Sequence, residues 1–202
     1  MTMSSLNILI DSTSLQRRII GLMEEYMVQH YRSSILDFDS NFMTDTITDT
    51  TYIPTTNVTT NTEKNKIVIV YVNPQSRKFA EDFHAYLQQR QFTTEPDFLE
   101  HQADTTEGTF FYISDCDRSK IQGTNVILLH NIVENEQSIA EYEDTIMLSA
   151  PNSICSMTLL CPYNINCNAD FIGFTIPIAR IVGYGLSWKG HFQQLYHIST
   201  IS

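Results

Sequence analysis

The stretch NVILLHNIVENEQSIA, residues 125–140, indicates the fold because it changes from a strand pattern to a helix pattern. Val126–Leu129 is a continuous apolar run, which is typical of a strand buried on both faces. A polar loop at residues 134–138 follows, and it should open a helix. Free backbone N–H groups and the helix dipole attract anions at such a helix N-terminus. This loop, however, has no glycine and carries two carboxylates.

Strand-like and helix-like segments alternate on both sides of this unit. The predicted strands are Leu6–Ile10, Ile67–Val72, Phe92–Leu99, Phe110–Tyr112, Ser156–Leu160, Phe171–Phe174 and Arg180–Tyr184, and the predicted helices cover about Leu15–Tyr31, Ser76–Gln89 and the residues up to Leu148. This alternation predicts one α/β domain over residues 1–202, with a mainly parallel sheet covered on both faces. Residues 40–65 are rich in Thr, Asn and Asp, so we expect an insertion or mobile loop there.

Composition limits the partners and the compartment. The formal net charge of -11 argues against nucleic acid or an anionic membrane as the main partner, because both attract clustered Lys and Arg. The longest apolar run, Ile67–Val72, is too short to cross a bilayer, so membrane insertion is not expected. We expect the cytoplasm or another reducing intracellular compartment. The Ser, Thr and Arg residues near the start leave a mitochondrial location open.

The chain has few candidate metal ligands with the usual spacing. None of its 4 cysteines forms a C-x-x-C pair, which favours reduced thiols over a zinc site. His130 and Glu134 are spaced to share one face of a helix. Because they straddle a strand end, we interpret them as surface polar residues and predict no metal site.

The segment ADFIGFTIPIARIVGYGLSWKG, residues 169–190, carries two ordered motifs. Asp-Phe-Ile-Gly-Phe at residues 170–174 leads to Pro177, and Val-Gly-Tyr-Gly-Leu follows at residues 182–186. Together they resemble the Asp-Phe-Val-Gly-Phe-x-x-Pro and Val-Val-Gly-Tyr-Gly-Leu motifs of the hypoxanthine-guanine phosphoribosyltransferase family. The resemblance implies a type I phosphoribosyltransferase-like fold, with a mainly parallel twisted sheet, flanking helices and a small hood subdomain built from the chain ends.

The same resemblance implies a phosphate-binding loop at the opening stretch. The family joins a purine to the ribose of phosphoribosyl pyrophosphate, with magnesium holding the pyrophosphate. His130 and Asn131 stand where active members have a Glu-Asp pair that grips the ribose hydroxyls, and Glu134 stands at the general base. The phosphate loop itself, normally small residue, Gly, any residue, Thr, reads Asn135, Glu136, Gln137 and Ser138 here.

The family's other site positions are also replaced. Its Leu-Lys-Gly pyrophosphate turn, which contains a cis peptide, is Val72-Asn73-Pro74, where proline would permit the same cis geometry. The replacements elsewhere are Gln193 for the pyrophosphate Arg, Ser187 for the magnesium Asp, Arg180 beside Ile181 for the stacking aromatic, and Cys161-Pro162 for the purine-contacting Lys.

Electrostatics argues that this phosphate cradle is disabled. A carboxylate at Glu136, ~4 Å from one phosphate charge, repels it by about 4 kcal/mol at an effective dielectric near 20. The attraction between the helix dipole and the phosphate offsets at most ~2 kcal/mol of this repulsion. The matching residues that remain are interpreted as fold and packing residues, and they are Gly173, Phe174, Pro177, Gly183, Tyr184, Leu186 and Trp188.

Three functions are compatible with this pattern. The first is a non-catalytic relative of the purine salvage enzyme, a structural or regulatory subunit that needs no cofactor and pairs with other proteins, with an active paralogue or with itself. The second is a sensor of a nucleobase or nucleotide, with Arg180 stacking on the base. The third is a diverged active transferase that uses Glu134 as its base and requires magnesium.

Overall fold

The structure is a computed structural model that describes residues 5–42, 66–89, 97–101, 103–104, 110–111 and 115–202. Residues 43–65 of the predicted insertion lie outside this range. The strands are β1 Leu6–Ile10, β2 Ile67–Val72, β3 Asp97–His101, β4 Ala103–Asp104, β5 Phe110–Phe111, β6 Asn125–Ile132, β7 Ser153–Pro162, β8 Phe171–Ile176, β9 Ile181–Val182 and β10 Ile198–Ile201. The helices are α1 Ser12–Phe42, α2 Arg77–Gln89, α3 Asp115–Ile121 and α4 Ser138–Met147, with a 3₁₀ turn at Pro74–Ser76.

The central sheet has five parallel strands in the order β3-β2-β6-β7-β8. Alternate residues of β2 pack on opposite faces: Ile67 and Ile69 join the core cluster that contains α1 and α2 residues, and Val68 and Val70 join the cluster with α3 and α4 residues. Every residue of β2 is buried. The predicted α/β class, with a parallel sheet covered on both faces, is therefore confirmed.

The chain ends form the predicted small subdomain. Strands β1, β10 and β9 make a separate antiparallel sheet in the order β1-β10-β9. The sequence reading missed β10, which pairs with residues at the other end of the chain. It also made β9 too long, because Gly183 and Gly185 have positive φ and begin a turn. A Cβ at Gly183 would lie 2.0 Å from the His197 carbonyl oxygen, so this close approach requires glycine.

Helix α1 begins at Ser12, directly after the capping residue Asp11. The Asp11 carboxylate accepts hydrogen bonds from the N–H groups of Thr13 and Ser14, and these bonds lower the pKa of Asp11. The helix continues to Phe42, beyond the predicted end at Tyr31. Helix α3 was not predicted. Strand β3 overlaps the end of the strand predicted at residues 92–99, whose residues 92–96 lie outside the described range. In the described ranges, no helix is long and apolar enough to cross a membrane.

The predicted packing residues divide into two groups. Tyr184 and Leu186 are buried in the main core, and Phe174 packs against it. Pro177 is exposed, and the Trp188 side chain is also exposed, at 39%. The packing role predicted for these last two residues is therefore wrong.

Candidate functional site

The candidate site lies at the carboxyl edge of the parallel sheet, where ligands bind in open α/β folds. Strands β2, β6 and β7 end there, and their following segments include residues 73–76, 133–137 and 163–170. The turn at residues 183–186 contacts the same edge, since the Asn131 side chain donates to the Tyr184 carbonyl oxygen. This edge brings together the predicted phosphate and pyrophosphate positions.

The N-terminus of α4 is capped by the chain itself. Asn135 Oδ1 accepts hydrogen bonds from the N–H groups of Gln137 at 3.0 Å and Ser138 at 2.9 Å. Gln137, which directly precedes the helix, makes no capping bond with its own side chain. Two backbone donors at this helix end, the N–H groups of Gln137 and Ser138, are thus already paired with a neutral amide oxygen.

Glu136 points toward the loop that follows β7. Its Oε1 accepts a hydrogen bond from the Asn166 N–H at 3.2 Å, although the side chain remains exposed. This contact joins the loop after β6 to the loop after β7 across the edge of the sheet. Glu134 is also exposed. Burial raises the pKa of the nearby Tyr142 hydroxyl, and the Glu134 charge raises it further.

His130 does not lie on the surface as the sequence reading proposed. It is inside β6 with 3% of its surface exposed, and its ring centroid lies 4.7 Å from that of Tyr142. Burial lowers the pKa of His130 from 6.5 to about 3, so the imidazole is neutral at physiological pH. The interpretation was wrong because the strand continues to Ile132 and carries His130 into the sheet interior.

Asn131 is equally buried and connects three segments. Its backbone N–H donates to Ser76 Oγ at 2.9 Å, and its Nδ2 donates to the carbonyl oxygens of Gln75 at 2.9 Å and Tyr184 at 2.7 Å. Only 2% of the residue is exposed. At Gly185, where φ is +91°, an added Cβ would lie 2.2 Å from the Gln75 carbonyl oxygen. We call Gln75, Ser76, Asn131, Tyr184 and Gly185 the clamp.

The turn after β2 is capped by an asparagine side chain, as is the start of α4. Asn73 has φ 63° and ψ 160°, and its Oδ1 accepts from the N–H groups of Gln75 at 3.0 Å and Ser76 at 3.2 Å. The described residues contain no cis peptide bond, so the cis geometry considered at Pro74 is not present. Here too, an asparagine side chain has taken the backbone donors of the turn.

The base-pocket positions do not converge on a ligand site. The Arg180 guanidinium lies 4.8 Å from the centre of the Trp188 ring, and Arg180 is exposed. Ile181 and Ser187 are half-buried, and Gln193 is exposed. The Gln193 carbonyl oxygen accepts the Gly185 N–H at 3.0 Å, so its backbone supports the clamp.

The residues present do not fit the family's magnesium. Mg²⁺ prefers carboxylate oxygens and phosphate oxygens in an octahedral arrangement. The position of the magnesium Asp offers only the hydroxyl of Ser187, and the two ribose positions offer a buried neutral imidazole at His130 and a buried amide at Asn131. Within the described ranges, no group of three or more His, Cys, Asp or Glu residues could hold a metal ion.

The fold and the site together define the class of protein. The structure superimposes on hypoxanthine-guanine phosphoribosyltransferase from Bacillus anthracis with a TM-score of 0.69 and 19% identity, covering 98% of this chain and 99% of that one. Hypoxanthine phosphoribosyltransferase from Trypanosoma cruzi, solved with its product IMP, gives a TM-score of 0.71 at 17% identity, over 100% and 96% of the two chains. The chain therefore has the type I phosphoribosyltransferase fold.

Sequence comparison finds similar proteins over about half of the chain. The chain is 28% identical over 102 residues to the rat and human hypoxanthine-guanine phosphoribosyltransferases, covering 49% of this chain and 47% of each relative. Hypoxanthine phosphoribosyltransferase from Escherichia coli is 27% identical over 84 residues, 40% of this chain and 47% of that relative. The chain thus spans about half the length of these curated relatives, and no family model matches it. Over this half the chain is similar in sequence to hypoxanthine-guanine phosphoribosyltransferases.

Sequence reasoning overlooked three residues of this edge. Asn73 and Asn135 were treated only as replacements of family residues, and Asn166 was not considered. A local signal was available for the first two, because Asn directly before a helical turn is a strong cap former. The contact of Asn166 with Glu136 joins residues 30 positions apart. No local pattern predicts it.

Proposed function

We propose that this chain is a catalytically inactive relative of the hypoxanthine-guanine phosphoribosyltransferases that acts as a structural or regulatory subunit of a protein assembly. One observation carries the proposal: Asn135 Oδ1 accepts hydrogen bonds from the N–H groups of Gln137 and Ser138, which belong to the loop that the family resemblance assigns to the phosphate. A phosphoribosyl donor would have to displace this cap before it could bind.

Two further features support the loss of donor binding. Displacing an N-cap costs roughly 0.5–2 kcal/mol, and an incoming phosphate would also meet the Glu136 carboxylate. Solvent and salt screen the charge of the exposed Glu136. The cap and the clamp therefore support the loss of donor binding more strongly than this charge does. Asn131 stands where the family has an acidic residue, and its Nδ2 donates hydrogen bonds to the Gln75 and Tyr184 carbonyl groups.

A transfer assay tests the loss of catalysis. The complete chain is incubated with hypoxanthine or guanine, phosphoribosyl pyrophosphate and magnesium, and nucleoside monophosphate is measured. We expect no turnover above a heat-inactivated control. Turnover of ~1 s⁻¹ or more would contradict the proposal. Calorimetry with the sugar donor alone separates failure to bind from failure to react.

The subunit role requires a partner in the native protein. The retained scaffold supports this role, since Gly185, Tyr184 and Leu186 preserve the packing of the fold while the family's ligand groups are replaced. We expect the native protein to purify in a particle larger than one chain. An active transferase in that particle would indicate a regulatory subunit, and a large unrelated complex would indicate a scaffold. A monomer without other proteins would contradict both roles.

The exposed Glu134 keeps one alternative open, a diverged active transferase that uses this carboxylate as general base. If the transfer assay detects product, Glu134→Gln should lower kcat by about 10²–10⁴-fold. The matched control is Glu136→Gln, which changes the neighbouring carboxylate in the same way. Equal activity of Glu134→Gln and the natural chain would exclude Glu134 as the base. The sensor alternative is less well supported, because Trp188 already stacks with Arg180.

A further inference from the structure

The small sheet built from the chain ends has two edges of different kinds. Strand β9, at one edge, covers only Ile181–Val182, and Val182 is buried. Strand β1, at the other edge, covers Leu6–Ile10 and pairs only with β10 within the described part of the chain. A short edge strand discourages pairing with another chain, whereas an open edge strand is a template for it.

The open edge of β1 is apolar and uncharged. Leu6 exposes 40% and Ile8 exposes 64% of its surface, and Asn7 between them is also exposed. A register shift between Ile8 and Ile10 ends the regular part of the strand. The stretch Leu6–Ile8, which we call the β1 edge, contains no Lys, Pro or acidic residue of the kind that natural proteins use to block an edge.

The hydrogen-bond pattern shows which backbone groups of the β1 edge point outward. The Ser202 N–H donates to the Ser5 carbonyl oxygen at 3.3 Å, so these two residues form a hydrogen-bonded pair next to the antiparallel ladder of β1 and β10. Along such a ladder, the backbone groups of successive residues alternately face the partner strand and point away from it. The groups of Asn7 therefore face β10, and the N–H and C=O groups of Leu6 and Ile8 point away from it.

The far side of β10 agrees with this assignment. The Ile201 N–H donates to the Arg180 carbonyl oxygen at 3.0 Å, on the side of β9. Ile201 is the residue opposite Leu6, so its N–H is directed away from Leu6. The outward direction of the Leu6 backbone groups thus follows from both sides of β10.

We propose that the β1 edge pairs with the β1 edge of a second copy of this chain, antiparallel and about a two-fold axis at Asn7. Leu6 of one copy then lies opposite Ile8 of the other, and the outward N–H and C=O groups of both copies form about four hydrogen bonds. The exposed Leu6 and Ile8 side chains meet across the new pair of strands. The two 3-stranded sheets become one continuous sheet.

Charge favours this place for contact between two copies. Each copy carries a formal net charge of -11, so two copies repel each other over most of their surface. All 23 acidic residues lie between Asp11 and Asp170, so residues 1–10 and 171–202, which contain the small sheet, have none. In the proposed register the two Asp11 carboxylates lie roughly 25 Å apart at ~3.3 Å per residue, well beyond the Debye length of about 8 Å.

Analytical ultracentrifugation of the full chain tests the association. Because the β1 edge is short, we expect a monomer–dimer equilibrium with a Kd of roughly 10–100 µM. Ile8→Lys places a charge on the edge and should weaken the dimer at least ~10-fold. Leu148→Lys is the matched control and should leave the Kd unchanged, because Leu148 is 72% exposed at the end of α4, outside the small sheet. A chain that stays monomeric at about 500 µM, or a dimer that Ile8→Lys does not weaken, would overturn the proposal.

Disulfide cross-linking tests the register. At the two-fold axis the two Asn7 residues form a non-hydrogen-bonded pair with Cα atoms ~4.5 Å apart, which a disulfide can span. Mild oxidation of Asn7→Cys should therefore give a covalent dimer on a non-reducing gel. Ser5→Cys is the matched control, since the two copies of residue 5 lie roughly 13 Å apart in this register. Equal cross-linking of the two variants, or of Asn7→Cys and the natural chain, would overturn the pairing.

The pairing specifies one partner for the proposed subunit role, but it does not depend on the loss of catalysis. A chain that is monomeric and shows no turnover in the transfer assay would refute the pairing and leave the loss of catalysis intact. A dimer with turnover would support the pairing and contradict the loss of catalysis.

Discussion

The clamp and the loop at residues 134–138, here called the cradle loop, lie next to each other, but they differ in how they replace the family's ligand groups. In the clamp, Asn131 is buried and its amide group connects three chain segments. In the cradle loop, the residues remain at the surface, and Asn135 pairs with the backbone donors of the helix. Three clamp residues, Ser76, Asn131 and Tyr184, are buried, whereas the cradle loop is closed only by one exposed side chain. Substitutions in the clamp should therefore affect stability, and substitutions in the cradle loop should affect binding.

The largest effect is expected at Gly185. Gly185→Ala places a Cβ 2.2 Å from the Gln75 carbonyl oxygen in a residue with φ +91°. The clash and the backbone strain should lower the free energy of unfolding by about 3–5 kcal/mol, measured by urea denaturation. Gly190→Ala is the matched control, since φ is +76° there but no atom lies within 4 Å of the new Cβ. Equal losses in the two variants would show that the clamp packing does not matter.

Acid should destabilise the protein through His130, which directly precedes Asn131. Its pKa is lowered to about 3 in the folded chain, so below pH 6.5 the unfolded chain takes up a proton that the folded chain does not. Stability is therefore lost as the pH falls from about 6.5 toward 3, by roughly 2–3 kcal/mol at about pH 4.5. His130→Phe keeps an aromatic ring beside Tyr142 and removes the titration. The same acid sensitivity in His130→Phe would assign the effect to other groups.

A loss of intermediate size is expected when the clamp loses its central donor. Asn131→Ala leaves the Gln75 and Tyr184 carbonyl oxygens without the amide that now pairs with them. We expect a loss of about 2–3 kcal/mol in the free energy of unfolding. Asn131→Asp, which keeps the shape but removes the Nδ2 donors, should lose at least as much. Asn168→Ala, at an exposed position, should stay within about 0.5 kcal/mol of the natural chain. A similarly small change at Asn131 would mean that the clamp is not a structural unit.

The sequence predicted the scaffold better than the site, for a physical reason. Hydrophobic periodicity is local, so Ile67–Val72 predicted a strand that proves fully buried, and the helix predicted from Leu15 has Leu15, Ile19 and Leu22 on its buried face. The burial of His130 and Asn131 depends on where β6 ends and on segments distant in sequence. Because His130 and Asn131 are polar and follow an apolar run, the sequence indicated a surface position for them instead. The resemblance to the family indicated the candidate site, and the hydrogen bonds show which partners its backbone donors have.

The smallest effect on stability, and the most informative one, is expected in the cradle loop. Asn135→Ala removes the cap of α4 and should cost about 1 kcal/mol in the free energy of unfolding, whereas Gln137→Ala should change it little because Gln137 makes no capping bond. Adding Glu136→Gly to Asn135→Ala also removes the nearby carboxylate. The freed N–H groups of Gln137 and Ser138 should then bind inorganic phosphate.

Nuclear magnetic resonance can follow these two amides directly during a phosphate titration. In the double variant we expect their signals to shift with half-saturation at roughly 1–10 mM phosphate, which corresponds to weak binding of about -3 to -4 kcal/mol. The natural chain should show no shift over the same range, because Asn135 competes from within the molecule at a high effective concentration. If the natural chain binds phosphate as well as the double variant does, the asparagine cap does not close the cradle. The proposed loss of donor binding would then lack its main support, whereas the stability differences in the clamp would be unaffected.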